Sequence, residues 1–68
     1  MQTQDFTVTG MTCQHCVASV TEEVGELAGV TGVDVDLASG ALRVTGDGVA
    51  PEQVRTAVAE AGYSAVPA

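Results

Sequence analysis

Residues 30–45, "VTGVDVDLASGALRVT", decide how this chain folds. Val33, Val35 and Leu37 alternate with Asp34 and Asp36, the period of two expected of a strand with one buried and one wet face. Leu42 and Val44 repeat the pattern against Arg43 and Thr45. The connection at 38–40, Ala-Ser-Gly, is so short that the two strands must form an antiparallel hairpin.

Working outward from the hairpin, each side carries a helix and then a strand. Upstream, Val17, Val20, Val24 and Leu27 are spaced by three and four, while Glu22, Glu23 and Glu26 fall on other faces. That spacing predicts an amphipathic helix over about 16–27, with Gly29 marking its end. Before it, Phe6 and Val8 alternate with Thr7 and Thr9 as a half-buried strand that stops at Gly10. Downstream, "GDG" at 46–48 breaks the third strand, and Pro51 with Glu52 suits the first turn of a second helix. Ala50 offers no side-chain acceptor and is a poor N-cap. Val54, Ala57, Val58 and Ala61 form that helix's buried stripe, Gly62 ends it, and 63–66 reads as a short last strand. The order is βαββαβ, two similar halves joined by the hairpin. This predicts an α+β, ferredoxin-like sandwich, a four-stranded antiparallel sheet with both helices on one face.

Bulk properties narrow the function. With 68 residues, the chain is expected to be one domain, 1–68, burying only about 60% of the surface its unfolded form exposes. Apolar residues make up 46% and aromatics 3%, so the core should be thin and valine-rich, with no large enclosed catalytic cavity. The net charge of −7, with two arginines and no lysine, argues against nucleic acid and anionic membranes and favours a partner with a basic face. The opening "MQTQDFTVTG" carries no export signal and no run approaches the roughly 18 apolar residues of a membrane span. A cytoplasmic protein without membrane insertion is expected. In a reducing compartment a close cysteine pair is metal-binding or catalytic rather than a structural bridge.

That pair lies in "TGMTCQHC", residues 9–16, which holds both cysteines and the only histidine. Cys13 is placed in the loop and Cys16 in the first helical turn, near unpaired N–H groups that favour thiolates. Structural zinc takes four ligands, and the chain has no second pair to complete such a site. Cu(I) is soft, accepts few ligands and suits two sulfurs that leave room for a third to attack. A dithiol oxidoreductase would also place cysteines at a helix start. Its fold needs roughly 100 residues, and "TCQHC" lacks the aromatic and proline of such sites. His15 could be a third ligand, could tune the thiolates, or could simply be an exposed loop residue. Thr12 reads as the donor of a local hydrogen bond.

"GMTCQHC" at 10–16, "VASVTEEVGELAGV" after it, the strand "VDVDL" and the late "AEAGY" resemble the heavy-metal-associated domain family over nearly the whole chain. Within that family the chain is most similar to small bacterial copper chaperones of the CopZ type. The resemblance implies the ferredoxin-like fold, no enzymatic activity, and Cu(I) ligation by Cys13 and Cys16 alone. It implies Met11 as an inward prop beneath the loop and Tyr63 as a shield beside the metal. It further implies a copper-transporting P-type ATPase as acceptor, and exposed thiolates make a copper-bridged homodimer a second expectation. The readings left beside it are a metal-binding domain cut from such an ATPase and a carrier of mercury or zinc.

Overall fold

In a computed structural model that describes residues 1–68, six elements follow in order: β1 (Gln2–Thr9), α1 (Gln14–Gly25), β2 (Val30–Val35), β3 (Ala41–Gly46), α2 (Pro51–Glu60) and β4 (Ser64–Pro67). The sheet order is β2-β3-β1-β4, with every neighbouring pair antiparallel. β1 and β3 are central because their inward residues, Phe6, Val8, Leu42 and Val44, are the most apolar strand positions and all are buried. The helices complete that core with Val20, Val24, Val54, Ala57 and Val58, joined by Val49 and Ala65. This is the ferredoxin-like sandwich expected from the alternating pattern.

The other sheet face is polar, as an antiparallel sheet covered on one side allows. Asp5, Arg43 and Asp34 stand abreast across β1, β3 and β2, and Arg43 Nε donates to Asp5 Oδ1 at 2.8 Å.

Several boundaries differ from the sequence reading, among them β4, which runs Ser64–Pro67 rather than 63–66 because its pairing with β1 begins at Ser64 opposite Thr9 and continues to Pro67 opposite Phe6. α1 begins and ends two residues earlier than expected, so Cys16 heads its buried stripe with Val20 and Val24, and Val17 is only half-buried. Leu27 falls in the turn after the helix yet still packs against the core. β2 stops at Val35, and Leu37 lies outside the core cluster. Asp36 accounts for this: its carboxylate accepts Ala38 N–H at 3.3 Å and the Ser39 hydroxyl at 2.7 Å, turning the chain early. β1 reaches back to Gln2, where backbone pairing with β3 extends it beyond its apolar residues. At α2, Ala50 contributes no side-chain cap, and Gln53 instead reaches back to accept the Ala50 N–H at 2.9 Å.

Both helix-to-strand arches depend on glycine. Gly29 sits at φ +91°, and a Cβ there would collide with the carbonyl of Asp47.

Candidate metal-binding site

The site occupies the end of the sheet where β1 runs into α1. Gly10, at φ +97°, turns the chain out of the strand. Cys13 is the N-cap of α1, extended at φ −156°, ψ 174°, and its sulfur caps nothing. Its carbonyl accepts the N–H groups of Cys16 at 3.0 Å and Val17 at 3.4 Å, which begins the helix without using the thiol. Cys13 is exposed and Cys16 buried, both are free, and their sulfurs are 3.7 Å apart, far beyond the roughly 2.05 Å of a disulfide.

The two sulfurs have different surroundings. Thr12 N–H donates to Cys16 Sγ at 3.5 Å, and the Thr12 hydroxyl lies 3.8 Å from the same atom. The Tyr63 hydroxyl faces that sulfur from the α2–β4 connection; its geometry falls short of a formed hydrogen bond, yet its dipole favours the thiolate. Together these lower the Cys16 thiol from its ordinary 9.0 to about 6, led by Thr12 N–H, then the Tyr63 hydroxyl, then Cys13 N–H, against a smaller opposing effect of burial. The same proximity raises the Tyr63 phenol. The donors are thus the Thr12 N–H of the loop, the Cys13 N–H at the start of α1, as expected from sequence, and a tyrosine from the far end of the chain. The mechanism is hydrogen bonding and oriented dipoles that favour the charged form.

Met11 is half-buried and packs against the core cluster. His15 is exposed and its imidazole makes no hydrogen bond to either sulfur; only its carbonyl is engaged, by the Ser19 hydroxyl at 3.1 Å. Nowhere do three His, Cys, Asp or Glu side chains converge as metal ligands, so the pair stands alone. The sulfurs line none of the surface depressions. The largest, about 630 Å3, lies over the polar sheet face beside Asp5, Asp34 and Arg43. An open pair of soft donors can take and release an ion; it cannot enclose a substrate.

Gly10, the residue at which β1 stops, also borders Tyr63. A Cβ on it would stand 3.3 Å from Tyr63 Cδ1, a contact between residues too far apart in sequence for any local pattern to show.

A fold of this topology carrying a two-cysteine loop at the start of its first helix matches the heavy-metal-associated domain over residues 5–64, and the chain belongs to that family. It is 40% identical over 65 residues to the copper chaperone CopZ of Bacillus subtilis, covering 93% of this chain and 94% of that protein. Among solved structures, a CopZ metallochaperone superposes with a TM-score of 0.91 at 34% identity, over 96% of this chain and all of the other. A copper-binding domain from the P-type ATPase HMA7 superposes with a TM-score of 0.96 at 30% identity, over 100% and 95% of the two chains. No helix is long and apolar enough to cross a membrane.

Proposed function

We propose that this chain is a cytoplasmic copper carrier that holds Cu(I) between Cys13 and Cys16 and passes it to a copper-transporting P-type ATPase. The observation that carries the reading is the isolated sulfur pair, 3.7 Å apart, one exposed and one buried, with no third ligand near it. Two thiolates satisfy Cu(I), whereas zinc would be left short of the four ligands it takes in a closed site. An identity of 40% to a copper chaperone, against 30% to the ATPase domain, supports the choice of carrier.

Transfer is ligand exchange without a change of oxidation state. An acceptor thiolate bonds to the copper as a third ligand, one Cu–S bond to this chain breaks, and a second acceptor thiolate displaces the other. No free ion forms at any stage. Cys16, already a thiolate near neutral pH, needs no proton removed before it can bind.

Anaerobic titration with Cu(I) and Zn(II), reading stoichiometry, sulfur coordination number and molecular mass together, tests the reading. One Cu(I) per chain, two sulfur ligands and preference over zinc are expected. Zinc outcompeting copper at the dithiol would sink it. The mass also reports a copper-bridged homodimer. With a net charge of −7, encounter with an acceptor bearing a basic face should slow as salt is added, and a rate indifferent to ionic strength would count against electrostatic steering.

A further inference from the structure

Two glycines with positive φ flank the parts that meet at the sulfur pair: Gly10 at +97° before the cysteine loop and Gly62 at +96° before Tyr63. They differ in one respect. A Cβ on Gly62 would meet nothing within 4 Å, so that glycine serves the backbone turn alone. A Cβ on Gly10 would press on Tyr63 Cδ1 at 3.3 Å, so that glycine serves both the backbone and the ring.

Tyr63 is half-buried, packs on the core cluster and has its hydroxyl beside Cys16. Its ring therefore joins the α2–β4 connection to the loop that carries Cys13. We propose that Gly10 is a positioning residue for the metal site: its missing side chain makes the berth in which the Tyr63 ring lies against the cysteine loop. The proposal rests on Cys13 and Cys16 being the copper ligands. Groups that orient a metal's ligands without touching the ion commonly change affinity by about 10–100-fold when lost. Gly10 acts one step further back, through the ring, so an effect near the lower end is expected.

A double-mutant cycle separates the berth from backbone strain, because strain at Gly10 is present whatever occupies position 63. Gly10→Ala is expected to weaken Cu(I) binding about tenfold, read by competition with a chromophoric chelator. In a Tyr63→Leu background the same substitution should cost less than about threefold. Equal losses in both backgrounds would mean strain alone and would overturn the proposal. Gly10→Asn gives a second reading, since asparagine tolerates positive φ yet keeps a Cβ. It should lose affinity as alanine does, and it supplies the same comparison if the alanine variant does not fold. Wild-type affinity for Gly10→Asn would also overturn the berth.

Tyr63 is the only tyrosine and the chain has no tryptophan, so its emission reports the ring directly. Acrylamide quenching in the metal-free protein should rise in both Gly10 variants, and unchanged quenching would refute the displacement. Failure of the wild-type chain to bind Cu(I) would instead defeat the copper reading, while the quenching result would still decide the berth.

Discussion

Replacing Tyr63 by phenylalanine removes one oxygen and tests how the fold prepares Cys16. With its thiol at about 6, Cys16 at pH 7 is about nine-tenths thiolate; at the ordinary 9.0 it would be about one part in a hundred. The tyrosine hydroxyl is the second largest cause of that difference, after Thr12 N–H, which the substitution leaves in place. Tyr63→Phe should therefore raise the Cys16 midpoint without restoring it fully to 9.0. The assay is the rate of carbamidomethylation by iodoacetamide between about pH 5 and pH 9, with the label located by fragmenting the peptide in tandem mass spectrometry so that Cys13 and Cys16 are followed separately. Stability gives a second readout. A thiol lowered on folding adds stability that is fully present above its unfolded value near 9.0 and is lost as pH falls through about 6. The metal-free protein should accordingly gain resistance to urea from pH 6 to 9, and Tyr63→Phe should shrink that gain. A wild-type midpoint near 9, or the same midpoint in both proteins, would refute the reasoning.

Further outcomes follow from packing and from the loop. Gly29→Ala should destabilise the fold by more than about 1 kcal/mol, because the residue has positive φ and its Cβ meets Asp47. Gly25→Ala, the last residue of α1 with nothing within 4 Å of the new methyl, should instead stabilise by about 0.5 kcal/mol; urea titration of the two variants must give opposite signs. Leu42→Ala, at 1% exposure in a central strand, should cost about 2–4 kcal/mol by the same measurement, and a loss below about 1 kcal/mol would mean the core is not packed as described. His15→Ala should leave Cu(I) affinity within about threefold of wild type, since the imidazole touches neither sulfur; a tenfold loss in a chelator competition would make it a ligand or a close modulator.

Much of this was legible in the residues themselves. Alternation at 6–9, 33–37 and 42–45, the helical spacing of Val17 to Leu27 and of Val54 to Ala61, and the glycines and proline between them order six elements into a βαββαβ sandwich. The cysteine pair is equally plain, because two cysteines and the only histidine within four positions admit few chemistries. Where α1 begins and where β2 ends was less legible. Those limits depend on backbone bonds such as Cys13 carbonyl to Cys16 N–H and on the Asp36 turn, which periodicity does not register.

The sequence by itself determined the order of strands and helices, the valine core and the pair of soft donors, since each is a matter of local spacing and residue type. Only the tertiary structure decided that the two sulfurs are unequal. Cys16 is buried as the head of α1's inward stripe, Cys13 stays exposed at the cap, and Tyr63 arrives beside Cys16 from the far end of the chain through a berth left by Gly10. Those relations join residues distant in sequence, and only packing of the helices on the sheet brings them together.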